Sequence, residues 1–155
     1  EMCIRDRATS DTDGYVKMLK EMAGDDPNII FTGFVSGKLL EEIYSNAYVY
    51  VLPSKLEGMP LSLLEAMSYG NCVIGSDIAE IADVVEDKAI LFKKANVEDL
   101  KEKLQMVCDD EQIVRKYKSE ASEYICGKYN WEDVVERTLR VYQKGKKINE
   151  NLNDK

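Results

Sequence analysis

Histidine is absent from all 155 residues. That removes histidine-based triads, imidazole acid–base work and histidine metal ligation from this chain. The four cysteines, Cys3, Cys72, Cys108 and Cys126, are widely spaced and form no C-x-x-C pair. Neither a zinc site nor a disulfide framework follows from such a pattern, so no metal is expected and a reducing, cytoplasmic compartment fits best. Positive charge is also in deficit: 21 basic residues stand against 29 acidic ones, a net charge of −8. A wide electrostatic footprint on nucleic acid or anionic lipid is thereby excluded. No apolar run approaches the length of a bilayer span, and no signal-peptide pattern opens the chain. There is no G-x-G-x-x-G, which leaves dinucleotide oxidoreduction with little support. Gly33-x-x-x-Gly37-Lys38-Leu39 is one residue short of a phosphate-binding P-loop and has Leu39 where a hydroxyl must meet magnesium.

What is present suits one soluble globular domain, with 45% hydrophobic and 32% charged residues. Glu1 to Arg7 has neither strand alternation nor an amphipathic face, and residues 1–9 read as an edge outside the domain. From Ser10 the periodicity sharpens. Tyr15, Val16, Leu19 and Met22 predict a helix over Asp13 to Ala23, ended by Gly24. Ile29-Ile30-Phe31 is a short apolar run of the kind buried on both faces of a parallel sheet. A helix with Leu39, Leu40, Ile43 and Tyr44 follows, and Tyr48 to Leu52 is the strongest strand. Pro60 starts a helix carrying Leu61, Leu64 and Met67, closed by Gly70. Cys72 to Ile74, Ile78 to Val85 and Ala89 to Phe92 read as strand, helix and strand. Asn96 caps a helix with Leu100, Leu104 and Val107, and helices over Glu111 to Tyr129 and Trp131 to Tyr142 finish a domain spanning 10–144. Residues 145–155 read as a polar tail. Trp131, Val134, Val135, Leu139 and Tyr142 are expected to pack the last helix rather than to stack on a ligand. The β-α-β-α order predicts an α/β fold, a parallel sheet with helices on both faces, because parallel strands reconnect only through crossovers.

In such sheets ligands bind at the carboxyl ends of strands, where helix N-termini present N–H groups. The loop from Leu52 to Pro60 is one such place, with Glu57 just before the helix and Glu65 eight residues on. Gly58 permits close backbone approach, and the positive end of the helix dipole favours a phosphate. Two carboxylates cannot ligate that phosphate, since like charges repel; their natural partners are hydroxyls on the groups flanking it. A nucleotide sugar has that layout, with a ribose diol, a pyrophosphate and hexose hydroxyls in line.

The run Glu57-Gly58-Met59-Pro60-Leu61-Ser62-Leu63-Leu64-Glu65-Ala66-Met67 resembles the E-x7-E segment of the retaining GT-B glycosyltransferases, and more closely their family 4, the glycosyl transferases group 1. Asn28 to Val35 resembles the strand and turn that hold the base, Ala47 to Ser54 the strand before the motif, and Ser76-Asp77 the turn after the next strand. The resemblance covers about Ser10 to Tyr142. It implies a Rossmann-like C-terminal half of a GT-B fold, incomplete at its N-terminus, with a nucleotide-diphosphate sugar as donor and no cofactor. By the same resemblance Glu65 accepts the ribose hydroxyls and Glu57 lies against the transferred sugar as the catalytic carboxylate. The N–H groups of Gly58, Met59 and Leu61 meet sugar and phosphate, and Gly33 and Val35 flank the base. It also implies an N-terminal acceptor domain outside this chain, towards which the last helix crosses back. Any peripheral membrane contact would come only through such outside parts.

The departures are specific. The Arg and Lys that neutralise the pyrophosphate in the family belong to a segment not matched here, and Lys55 reads as a plain exposed lysine. Ile78-Ala79-Glu80-Ile81-Ala82-Asp83 stands where relatives often have Gly-Gly-x-Pro-Glu. Ala89 and Pro60 stand where glycines are frequent. The 155 residues alone are therefore expected to be inactive as a transferase. The alternative is a non-catalytic nucleotide-sugar-binding module or subunit that works with a separate acceptor domain.

Overall fold

A computed structural model describes residues 2–4 and 13–153, with side chains described for residues 2–4 and 14–143. The chain divides into two compact units, Glu1–Asn46 and Ala47–Lys155, a division inside the single domain read from the sequence.

In the first unit, β1 (Met2–Ile4) and β2 (Ile29–Phe31) pair in parallel, Met2 opposite Ile29 and Ile4 opposite Phe31. Helix α1 (Asp13–Ala23) connects them and α2 (Gly37–Asn46) follows. Strand β1 corrects the reading of Glu1 to Arg7 as without an element. Three residues are too few to display alternation, and their partner lies far along the chain, so the pairing leaves no local signal. Ile30 is 40% exposed rather than buried on both faces, because β2 belongs to a two-stranded sheet among the described residues. The turn into β2 is closed by Asp26, whose Oδ1 accepts from the Asn28 backbone N–H at 2.9 Å and its side-chain amide at 3.0 Å. Those hydrogen bonds hold its carboxyl below the ordinary range.

The second unit is built on the parallel sheet β3-β4-β5, formed by Val49–Leu52, Cys72–Ser76 and Ile90–Phe92. Val49 lies opposite Cys72, Leu52 opposite Gly75, and Ser76 opposite Phe92. The connections are α3 (Leu61–Ser68) and α4 (Ala79–Val85), and α5 (Val97–Asp109), α6 (Glu111–Lys128) and α7 (Trp131–Asn153) complete the unit. The central strand β4 is buried throughout, as a parallel strand covered on both faces must be. Alternate residues face opposite ways. Cys72 and Ile74 join Ile90, Phe92, Val107 and Val114 in a core beneath α5 and α6. Gly75 faces α4, and a Cβ there would stand 2.8 Å from Ile81 Cγ2. Burial pushes the Cys72 thiol up to about 11, so it packs as a neutral apolar group.

The helix ends follow their sequence signals. Asn96 accepts from the Asp99 N–H at 3.1 Å to cap α5, and Asp110 caps α6 through the Gln112 N–H at 2.9 Å. Helix α3 ends in a Schellman turn: Gly70 at φ +73 donates to Met67 O at 2.9 Å, and Asn71 N–H reaches Ala66 O at 3.1 Å. Tyr48 OH donates to the Val107 carbonyl at 2.8 Å and Lys118 Nζ to that of Ala47 at 2.6 Å, tying α5 and α6 to the start of β3.

Helix α7 departs from the sequence reading twice. It runs on to Asn153 through residues taken as a polar tail; Lys146, Lys147 and Glu150 are good helix formers whatever their hydropathy, although Gly145 and Asn149 are not. Its apolar stripe does not pack: Trp131, Val134, Val135, Leu139 and Tyr142 are 50–79% exposed. Periodicity identifies a face that can be buried, not what buries it.

Candidate functional site

Strand β3 ends at Leu52, and Pro53, unable to extend the ladder, begins the loop that leads into α3. Pro60 is fully buried at the N-cap, and its carbonyl accepts from Leu63 at 2.9 Å and Leu64 at 3.1 Å. Its φ of −77 suits the ring. Two side-chain bonds brace the unit. Tyr50 OH in β3 donates to Ser62 Oγ in the first turn of α3 at 2.9 Å, and Ser54 Oγ donates to Glu57 Oε1 at 2.6 Å.

The half-buried Glu57 therefore sits in the loop before the helix, and the exposed Glu65 one turn inside it. Gly58 is exposed and a Cβ on it would meet nothing within 4 Å. Its value is thus an open approach to the backbone rather than relief of an internal clash. Among the described residues the Gly58 and Met59 N–H groups have no hydrogen-bond acceptor. Leu61 differs from the sequence expectation, since its N–H donates to Met59 O at 2.8 Å. An inverse γ-turn centred on Pro60 (φ −77, ψ 69) has closed on itself, and that bond must open before Leu61 can serve a phosphate. The Leu61 and Met59 side chains are 60% and 50% exposed, and Lys55 is exposed as expected.

At the neighbouring strand end, Ser76 Oγ donates to Leu52 O at 3.4 Å. Asp77 N–H donates to Phe92 O at 2.9 Å, while its carboxylate accepts the Lys94 N–H at 2.6 Å. Asp77 thus holds the strand ends together. Within Glu1–Asn46, Gly33 has φ +64, a left-handed turn that favours glycine. Thr32 fixes the approach to it through its N–H and Oγ1, at 3.0 and 3.2 Å from Ile4 O. Val35 is 5% exposed, so only its backbone could flank a base. Among the described residues no group of three or more His, Cys, Asp or Glu could hold a metal ion, and no helix is long and apolar enough to cross a membrane.

Sequence reasoning did not single out Ser54, Tyr50 or Ser62. The i, i+3 spacing of Ser54 and Glu57 is a signal that could have marked the first pair. No local pattern links the other two, which meet across the loop. The arrangement offers a fixed carboxylate, open amides and a helix N-terminus side by side, a chemistry for polyhydroxylated, anionic ligands.

Residues 11–124 match the family described as glycosyl transferases group 1. An uncharacterized glycosyltransferase of Methanocaldococcus jannaschii is 28% identical over 87% of this chain and 35% of its own length. The sulfoquinovosyl transferase of Arabidopsis thaliana is 34% identical over 66% of this chain and 21% of its own. Among solved structures, the Anabaena protein HepE in complex with UDP and glucose aligns with a TM-score of 0.83 at 16% identity, covering 92% of this chain and 40% of that one. At that identity the likeness is one of fold. The chain spans about a third or less of these two curated relatives.

Proposed function

Because this chain belongs to the glycosyl transferases group 1 family and has the partial Rossmann-like α/β fold of GT-B glycosyltransferases, we propose that it is the donor-binding part of a larger glycosyltransferase. That enzyme moves a sugar from a nucleotide-diphosphate donor to an acceptor with retention. The observation that carries the reading is the braced strand–loop–helix with Glu57 before α3, Glu65 within it, and open N–H groups at Gly58 and Met59 between them. The helix N-terminus stabilises the leaving diphosphate, and Glu57 stabilises positive charge developing on the sugar. Glu65 accepts the ribose diol. The Leu61 N–H joins the phosphate contacts once it releases Met59 O. The departing phosphate takes the acceptor proton. The acceptor domain and the basic groups that neutralise the diphosphate lie outside these residues, and the exposed stripe of α7 supports a contact with such a part. Four free cysteines support a reducing, cytosolic setting.

Calorimetry of the full-length protein with UDP, GDP and ADP tests the reading. A charge-assisted contact to a diol is worth about 1.5 to 3 kcal/mol, so Glu65→Ala should weaken the preferred diphosphate roughly tenfold to a hundredfold. Affinity unchanged in a folded variant would remove Glu65 from the site.

A further inference from the structure

We propose that Ser54 is a positioning residue that sets the rotamer of Glu57 for sugar transfer; this rests on the donor-binding reading above. The Ser54 Oγ to Glu57 Oε1 separation of 2.6 Å is the length of a charge-assisted O–H···O⁻ bond. Both residues are half-buried and lie between a strand end and a helix start that are themselves tied by Tyr50 and Ser62. A free glutamate side chain has three rotatable bonds and samples many rotamers. Ser54 sits two residues past the end of β3, so its hydroxyl references the carboxylate to the sheet. One carboxylate oxygen is engaged, which leaves Oε2 to meet a ligand hydroxyl or a developing cation in a defined place. Positioning of this kind acts on the rate, because a charge aimed slightly wrong loses stabilisation in the transition state while ground-state binding through amides and Glu65 continues.

The test has two arms. In the 155-residue chain, three-bond couplings from Glu57 Cγ to its backbone nitrogen and carbonyl report the rotamer by NMR. We expect single-rotamer values in the parent, averaged values in Ser54→Ala, and a return towards the parent in Ser54→Thr, which keeps the hydroxyl. Couplings unchanged in Ser54→Ala overturn the proposal without touching the donor-binding reading. In the full-length protein, nucleoside diphosphate release from UDP-, GDP- and ADP-glucose, with water taking the glucosyl group, gives turnover. Ser54→Ala should lower kcat about tenfold with nucleoside diphosphate affinity held within about twofold. On a Glu57→Gln background the same change should cost no more than about twofold, because the hydroxyl then has no charge to aim. An equal loss on both backgrounds would mean that Ser54 acts apart from Glu57 and would overturn the proposal. If Glu57→Gln leaves turnover intact while the couplings still respond to Ser54, the catalytic reading of Glu57 fails and this inference falls with it.

Discussion

At the scale of single residues, the two glutamates of the motif have different surroundings and should fail differently. Glu65 is exposed on α3, where a ligand can reach it without disturbing the core. Glu57 is half-buried and held by Ser54. In the full-length enzyme Glu57→Gln keeps the shape and loses the charge, so nucleoside diphosphate affinity should stay near the parent value. Stabilisation of a developing cation is far weaker in the ground state, and the loss should therefore appear in kcat. Steady-state kinetics should give a fall of at least about tenfold, a barrier change above roughly 1.4 kcal/mol. Collapsed affinity with unchanged kcat would reverse the two assignments. The carboxylates and their spacing were legible in the sequence, because a strand ending at Pro53 and a helix starting at Pro60 fix where they stand. The Leu61 N–H was not, since a bond closed on Met59 O within a loop leaves no periodic trace.

Elements are fixed by a few tight contacts, and two of them invite measurement. Gly75 lets α4 approach β4: a Cβ would stand 2.8 Å from Ile81 Cγ2, and Ile81 is itself fully buried. Gly75→Ala should destabilise the chain by about 1 to 3 kcal/mol through overpacking, read as a lower urea midpoint with unchanged slope. An unchanged midpoint would mean that Ile81 moves aside freely. At the far end of α4, Lys128 Nζ donates to Asp83 O at 2.8 Å, Glu86 Oε1 at 2.6 Å and Tyr124 OH at 2.9 Å. Burial alone would lower its pKa, but the Glu86 carboxylate and the Tyr124 hydroxyl outweigh that and raise it. A lysine whose folded pKa lies above its unfolded value contributes stability that is present below the unfolded pKa and lost as pH rises through the folded one. Lys128→Met should therefore destabilise the chain at pH 7 and lose part of that penalty at strongly alkaline pH; equal midpoints at pH 7 would refute the clamp. Most helices were legible because their caps are local: Asn96 and Gly70 announce ends that the structure keeps, and the structure adds Asp110 as the cap of α6. Strand β1 was not, because its three residues take meaning only from a partner more than twenty residues away.

For the whole molecule the open question is what covers α7, since periodicity can mark a buriable stripe but carries no record of its cover. Trp131, Val134, Val135, Leu139 and Tyr142 form an exposed apolar stripe, the kind of surface that marks an interaction site. In the proposed enzyme the remainder of the protein lies against it, and the isolated chain then lacks both that contact and the acceptor side of the reaction. Purified as 155 residues, it should give no measurable sugar transfer, although nucleotide binding can survive. Steady turnover abolished by Glu57→Gln would sink that expectation. The helix itself offers the sharper measurement. Its amides should exchange with deuterium much faster in the isolated chain than in the full-length protein, because protection follows the free energy of local opening and a covered helix opens less often. Val135→Lys with Leu139→Lys should leave the midpoint of the isolated chain almost unchanged, as exposed substitutions do. In the full-length protein the same pair places two charges in a dry contact, so exchange of α7 should rise towards the rate of the isolated chain. Identical exchange in the two parent proteins would mean that the stripe faces solvent in the enzyme as well, and the contact would have to be sought elsewhere on the chain.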